Sequence, residues 1–501
     1  MPRQTNGGDL SDPEKAEHLR SKTISGIIWS FVERFSQQGL QFLTSIVLAR
    51  LLLPEDFGLI AMIYIIIAMG NSFIDSGFQK ALIQKSDLTQ IDKSSVFFFN
   101  IIIATIISGL IFIASTEIGL FFKHSDLIPI IRMVSLIFIF SSFGLVQDSL
   151  LVKSLQFKKI FKINIISYLF SAISSIALAL SGFGVWSLVT LNIGGALFRT
   201  ILLWFFGNWR PSLTFSMQSL KTMFAFGSSL FLVSMTNSIF TNIYQVLIGK
   251  YFSAESLGYY SRAKNLSMYP VTTATGVINQ VTFSVFSRIQ NDRIKLRNYV
   301  KKSLTLLALI TFPLMIGLIV LAKPLILFLL TEKWLPSVQY FQMLCFIGIL
   351  YPLQVINLNA LNALGHSNLY LRIDIVNKVL IILTILVTFR FGISAMILGQ
   401  IINSLIAYYL YTYYTGKFID YPFSRQLLDL LPSLSVALIM GAIVYSIGYV
   451  MIGNGIVILI IQVIAGVITY TAFCYLYKLD AFHEGIEIIK HTYSINRKTN
   501  K

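Results

Sequence analysis

The sequence predicts an all-α polytopic membrane protein, built as two related helical lobes with two further helices. Three observations support this fold class. Of the 501 residues, 55% are hydrophobic and only 12% are charged, whereas a soluble globular chain carries roughly 25% charged residues. Apolar runs long enough to cross a bilayer recur along the chain. A motif near residue 50 also returns two hundred positions later.

Apolar runs of about 20 residues predict about fourteen membrane-spanning helices, since a helix of that length crosses the hydrocarbon core. The connections between the runs are short, so no soluble domain is expected. The predicted spans are 24–50, 55–77, 95–114, 129–152, 163–181, 184–206, 222–250, 255–285, 299–322, 336–361, 368–389, 392–415, 430–450 and 454–477.

The basic residues predict how these spans are oriented. About 27 Lys and Arg residues fall on one side of the membrane and about 9 on the other, and the richer side is cytoplasmic by the positive-inside rule. Both termini are therefore predicted to be cytoplasmic, with tails at 1–21 and 478–501. The net charge of +17 then reflects Lys and Arg in cytoplasmic loops, which face membrane lipids, and nucleic acid is not an expected partner.

The first predicted span carries the strongest functional signal. Along Lys22–Arg50, eight polar side chains fall within an arc of about 140° at about 100° per residue. Charges at membrane depth usually face a bundle interior or a water-filled cavity. Either Glu33 and Arg34 lock neighbouring helices together, or the whole stripe lines a wet cavity, which its breadth favours. The stripe comprises Ser30, Glu33, Arg34, Gln37, Gln38, Gln41, Thr44 and Ser45.

An internal duplication organises the chain. Residues 50–58 and 250–258 share a base, two apolar residues, a Glu and a Gly at the same spacing. Pro54 and Ala254 are predicted to open the next helix. The polar stripe returns at the same offset as Ser234, Asn237, Ser238, Thr241, Asn242 and Gln245.

This duplication predicts two six-helix lobes, 22–206 and 222–415, with a cytoplasmic linker at 207–221 and two extra helices within 416–477. Because six is an even number, both lobes enter from the same side, and their pseudo-twofold axis lies along the membrane normal. The polar faces of the two first helices are therefore expected to line one central cavity.

The candidate substrate-binding residues lie on three predicted spans. Guanidinium groups match phosphate oxygens, so Arg34 and Arg262 are candidates for an anionic ligand. The alternative for Arg262 is a side chain that snorkels to the interface or pairs with Glu255. Amide and hydroxyl groups suit sugar hydroxyls. The full set is Arg34, Glu33, Gln37, Gln41, Arg262, Asn237, Thr241, Gln245 and Gln280.

Other features receive structural interpretations. Asp374 and Lys378 are spaced i, i+4 and are expected to pair on one helix face. Asp75 and Asp148 are expected to be solvated or near Lys80 and Lys153. No Walker A pattern, zinc-ligand spacing or nucleophile elbow is present in the sequence. The expectation is therefore a protein that is not an enzyme and uses no cofactor.

The N-terminal motif resembles a known family. Ser25-Gly26 through Phe35, followed by Leu48–Met62 with its Pro54-Glu55-Asp56-Phe57-Gly58 run, is similar to the opening of bacterial polysaccharide-transport flippases, in the branch of colanic acid and teichuronic acid exporters. That family belongs to the multidrug/oligosaccharidyl-lipid/polysaccharide export superfamily. The likeness extends over nearly the whole chain.

The resemblance implies a protein of the bacterial inner membrane. Such a protein moves an undecaprenyl-pyrophosphate-linked oligosaccharide to the periplasmic leaflet by alternating access of its lobes. Arg34 and Arg262 would hold the pyrophosphate, and the two extra helices would hold the polyprenyl tail. The polysaccharide polymerase and chain-length machinery are the implied partners.

Two other functions stay open. A multidrug cation antiporter of the same superfamily would need acids to dominate the cavity, whereas Glu33 is the one acid predicted near mid-membrane on a cavity face. A membrane glycosyltransferase or polysaccharide polymerase should have a large outer loop or a catalytic acid pair, and the sequence indicates neither.

Overall fold

The computed structural model describes residues 13–75, 77–451 and 455–487, without the side chains of 13–28, 30–31, 75, 225–226, 229–230 and 277–281. Every regular element in these ranges is helical, which confirms the all-α prediction. In the first half the helices are α1 (Pro13–Leu51), α2 (Pro54–Asp75), α3 (Phe78–Gln84), α4 (Gln90–Phe122), α5 (Leu127–Val134), α6 (Leu136–Lys153), α7 (Phe157–Leu180), α8 (Val185–Phe206) and α9 (Met217–Tyr251). In the second half they are α10 (Ala254–Ile289), α11 (Arg293–Val320), α12 (Ala322–Leu329), α13 (Ser337–Ala363), α14 (Ser367–Thr388), α15 (Ile393–Ile419), α16 (Phe423–Val450) and α17 (Gly455–Leu476).

The chain is a multi-pass membrane protein. Within the described ranges, 11 helices are long and apolar enough to cross a bilayer. Three more long helices, α1, α10 and α14, have 39, 36 and 22 residues. Helices α1 and α10 are more polar than a typical span, and α14 carries three charged side chains, Arg372, Asp374 and Lys378, within its 22 residues. The structure therefore does not confirm the predicted count of fourteen spans.

Contacts between helices divide the chain into two compact units, Met1–Gly258 and Tyr259–Lys501. In the first unit, α7 packs on α1 and α8, α6 packs on α4 and α8, and α9 packs on α2. In the second unit, α13 packs on α11 and α15, and α16 packs on α11 and α17. The two extra helices of the sequence analysis, α16 and α17, are thus joined to the second unit through α11. The lobe boundaries 22–206 and 222–415 stay a prediction.

Two glycines at equivalent positions of the repeat bring α2 and the start of α10 into backbone contact. A Cβ added to Gly58 would lie 1.7 Å from the carbonyl oxygen of Ala254, and one added to Gly258 would lie 1.9 Å from that of Pro54. Both helices begin where the duplication predicts, at Pro54 and Ala254. Each glycine therefore packs on the first residue of the other helix, in the reciprocal manner expected of a twofold repeat.

We expect Gly58→Ala and Gly258→Ala each to destabilise the protein by about 3 kcal/mol or more, because a methyl group overlaps main-chain atoms that no rotamer change can move. Thermal unfolding of the purified protein in detergent measures this effect. Gly109→Ala is the matched control, since Gly109 lies within α4 with nothing within 4 Å of its added Cβ. Equal melting temperatures for all three variants would contradict the close contact.

Candidate functional site

The repeated polar stripe on α9 lines a cavity of about 480 Å³ in the first unit. Two of the predicted substrate-binding residues, Asn237 and Thr241, are exposed in its wall. Gln245, one turn further along, is buried at 5% exposure. The lining residues are Ala68, Lys80, Val233, Ser234, Asn237, Ser238, Thr241 and Asn242. The cavity therefore combines hydroxyl and amide groups with one ammonium group.

The polar stripe on α1 is divided between two environments. At one edge, Glu33 accepts a hydrogen bond from Asn164 of α7, with 2.5 Å between Nδ2 and Oε1. At the other edge, Arg34 is exposed, and Gln37 and Gln41 are half-buried. Glu33 thus joins α1 to α7, while Arg34 is exposed. The roles of these four residues in substrate binding stay a prediction.

The contact of Glu33 is the first link in a chain of polar groups that joins five helices. Asn164 Oδ1 accepts from Arg199 Nε of α8 at 2.9 Å, and Arg199 Nη2 donates to Asp148 Oδ1 of α6 at 2.7 Å. Gln79 Nε2 of α3 donates to Asp148 Oδ2 at 3.0 Å. Because Arg199 occupies the amide oxygen of Asn164, the amide nitrogen is directed at Glu33. Each polar group in turn thus sets the orientation of the next.

Arg199 was not among the predicted residues, and Asp148 is buried rather than solvated. The Asp148 side chain is 13% exposed and pairs with Arg199, although Gln79, the residue before Lys80, also donates to it. The pair is separated by 51 positions in the chain, so no local spacing reveals it. The available signal was a lone Arg inside an apolar span, which demands a counter-charge at membrane depth.

In the second unit, Arg262 of α10 is buried at 3% exposure. Its helix packs on α15, where Tyr260 Oη donates to Gln400 Oε1 at 3.2 Å. It also packs on α13, where Asn359 Nδ2 donates to Thr282 Oγ1 at 3.1 Å. The side chain of Gln280, the remaining predicted residue, lies outside the described residues.

Two further charged features lie in the second unit. Asp374 and Lys378 form the predicted i, i+4 pair on α14, at 2.5 Å. A second cavity, of about 1010 Å³, lies where α11 and α16 begin and residues 477–487 pass. Two of its lysines are engaged with acids, since Lys301 pairs with Asp429 and Lys302 pairs with Glu484. The α9 cavity differs, because its described lining contains no carboxylate.

Comparison with known proteins adds a family. The sequence profile of the family described as "polysaccharide biosynthesis protein" matches residues 47–339, more than half of the chain. The chain is 29% identical to the lipopolysaccharide biosynthesis protein WzxC of Escherichia coli (strain K12) over 402 residues, which are 78% of this chain and 81% of that protein. It is 27% identical to the succinoglycan biosynthesis transport protein ExoT of Rhizobium meliloti (strain 1021) over 317 residues, which are 63% of this chain and 64% of that protein.

A solved structure shares the fold. The lipid II flippase MurJ in an inward closed conformation superposes with a TM-score of 0.74, over 91% of this chain and 99% of that one. The sequence identity is 18%, so this likeness establishes the architecture alone.

We expect Arg199→Leu and Asp148→Leu each to destabilise the protein by about 2 kcal/mol, because each leaves the other charge without its partner. The magnitude is moderated by solvent, since Arg199 is 37% exposed. The double variant should lower the melting temperature by less than the sum of the single changes. Lys295→Leu is the control: it removes the exposed pair Lys295–Asp292, at 3.1 Å, but leaves Asp292 in place as the N-cap of α11, and it should change little. Strict additivity at residues 148 and 199 would contradict the coupling.

Cysteine labelling distinguishes a wet cavity from mere surface exposure. Gln41→Cys and Thr241→Cys should react with a membrane-impermeant maleimide in intact membranes, whereas Leu43→Cys should resist. Leu43 is 61% exposed and Gln41 is half-buried, so labelling that followed exposure would give the opposite order on α1. The native Cys345 and Cys474 are both buried, which keeps the background low. Faster labelling at residue 43 than at residue 41 would rule out water along this stripe.

Proposed function

The chain belongs to the polysaccharide biosynthesis protein family, and from this membership we propose that it is a flippase. Its substrate is a polyprenyl-diphosphate-linked oligosaccharide, which it moves from the cytoplasmic to the outer leaflet for surface polysaccharide synthesis. The proposed location is the bacterial inner membrane with both termini in the cytoplasm. The proposed partners are the lipid-linked oligosaccharide and the polymerase and chain-length machinery that act on it afterwards.

One observation carries the proposal: the polar stripe of α9 lines an accessible cavity inside an otherwise apolar helical protein. Hydroxyl and amide side chains both donate and accept hydrogen bonds, as sugar hydroxyls do. An oligosaccharide that crosses the hydrocarbon region needs such partners, since unsatisfied polar groups there cost several kcal/mol each, about 4–8 for transfer into an alkane. The row from Ser234 to Asn242 supplies these partners along about two turns of helix.

The names of relatives point in the same direction. One relative is a succinoglycan biosynthesis transport protein, and the structure that shares the fold is a lipid II flippase. Both names describe movement, as a transport protein and as a flippase, rather than bond formation. We therefore assign transport, and not glycosyl transfer, to this chain.

Further contacts follow from the predicted residues. Arg34 is exposed on α1 and would bind the diphosphate, with Gln37 and Gln41 on the same face. Arg262 would provide a second guanidinium group. The alternating access of two lobes, and the polyprenyl groove on the two extra helices, belong to the same proposal.

A multidrug cation antiporter is the second candidate, and the charge of the α9 cavity argues against it. A cavity for organic cations needs acidic groups, whereas the described lining holds Lys80 and no carboxylate. The acid of the α1 stripe, Glu33, is occupied by Asn164.

Deletion of the gene tests the proposed function directly. The deletion strain should lose its surface polysaccharide and accumulate a lipid-linked oligosaccharide in the inner membrane, which mass spectrometry of extracted lipids would identify. Normal surface polysaccharide after deletion would remove the basis for the flippase assignment.

Within that strain, we expect the Arg34→Ala variant to fail to restore polymer export at normal protein level, because the diphosphate loses a charge-assisted hydrogen bond. Arg34→Lys should restore part of the export. Phe35→Ala is the matched control, since Phe35 is the adjacent residue and is 52% exposed. Full export by Arg34→Ala would leave the flippase intact but remove Arg34 from its site.

A further inference from the structure

The α9 cavity has a charge asymmetry that the predicted site residues do not explain. Among its described lining residues, Lys80 is the single charged side chain, and it is exposed. The other polar members, such as Asn237 and Thr241, are neutral. A cavity with one ammonium group and a neutral polar wall favours a ligand that carries an anionic group beside uncharged polar groups.

The helix that carries Lys80 is held firmly against α9. Gly77 precedes it with a φ of 73°, and a Cβ there would lie 2.3 Å from the Cα of Gly227, so the two backbones touch. Phe78 is 1% exposed, and its ring centroid lies 6.2 Å from that of Phe224. These contacts join α3 to α9 on the side that borders the cavity.

A second attachment comes from the polar chain described above. Gln79 donates to Asp148, which Arg199 holds from the other side. Residues 77, 78 and 79 thus have fixed partners, and the next residue, Lys80, extends into the cavity wall. The position of its ammonium group is therefore limited to the reach of one flexible side chain from a fixed backbone.

We propose that Lys80 binds a phosphate group of the substrate at the mouth of the α9 cavity. This inference rests on the proposed flippase function and adds a residue to its site. Lysine binds phosphate as a point charge, and Lys80 follows the second predicted span on the predicted cytoplasmic side, where a lipid-linked diphosphate would arrive. The phosphate then lies at the mouth, and the attached sugars face the hydroxyl and amide groups of α9.

The simpler explanation is that Lys80 only orients the protein in the membrane. Lys93 serves as the matched control, because it lies on the same predicted side and is absent from the described lining of the cavity.

The other explanation is that Lys80 pairs with Asp75, the nearest acid before it in sequence, and acts only on stability. The Asp75→Asn variant tests that possibility.

The experiment measures binding to the purified full-length protein in lipid nanodiscs, with geranylgeranyl diphosphate and geranylgeraniol as probes. The wild type should prefer the diphosphate. Lys80→Ala should weaken diphosphate binding about tenfold, the loss expected for one bond to a charged group, and should leave the alcohol unchanged. Lys80→Arg should keep the preference, and Lys93→Ala should match the wild type.

Three results would overturn the proposal. The first is a wild type that shows no preference for the diphosphate. The second is equal binding of the diphosphate by Lys80→Ala and Lys93→Ala. The third is a Lys80→Ala variant that binds both probes equally more weakly and regains binding when Asp75→Asn is added. The binding result is independent of the deletion experiment. Normal polysaccharide in the deletion strain removes the flippase function, while a specific loss of diphosphate binding in Lys80→Ala still establishes the phosphate site.

Discussion

The first unit depends on the reciprocal contact between Gly58 and the start of α10, and between Gly258 and the start of α2. Only two residues separate α10 from α9, so a fixed start of α10 also fixes the end of α9. From there α9 runs beside α2, where the Ser72 hydroxyl lies 3.2 Å from those of Ser234 and Ser238. The position of the polar wall of the α9 cavity therefore depends on Gly58 and Gly258, where no side chain fits.

The helical architecture follows largely from hydropathy and from the repeat. Pro54 and Ala254 begin α2 and α10 as predicted, because both positions suit a first helical turn. The short helix α3 and the break at Ser135 between α5 and α6 were not predicted, since an apolar run shows no interruption where the backbone turns. The span count stays unconfirmed for a related reason: the polar side chains of α1 and α10, and the three charged side chains of α14, interrupt the apolar run by which a span is recognised.

The candidate site was predicted only in part. Periodicity identified the polar faces of α1 and α9, and the structure places Asn237 and Thr241 in a cavity wall. Periodicity describes one helix at a time, however, and does not show which neighbouring helix packs against each edge of its polar face. Glu33 therefore has a partner on α7 that its own spacing does not indicate. Lys80 lies after the predicted span 55–77, and its place beside α9 could not be predicted because it depends on the turn at Gly77.

The glycine contact also bears on how the protein is made. Pro54–Gly58 contacts Ala254–Gly258, and five of the long apolar helices found among the described residues are synthesised between them. The first unit cannot close until the ribosome has passed residue 258, although α2 enters the bilayer much earlier. During this interval the start of α2 lacks its final neighbour, so early membrane insertion and later assembly are separate steps. A chain truncated before α10 would accordingly insert but remain open to proteolysis and to association with other nascent helices.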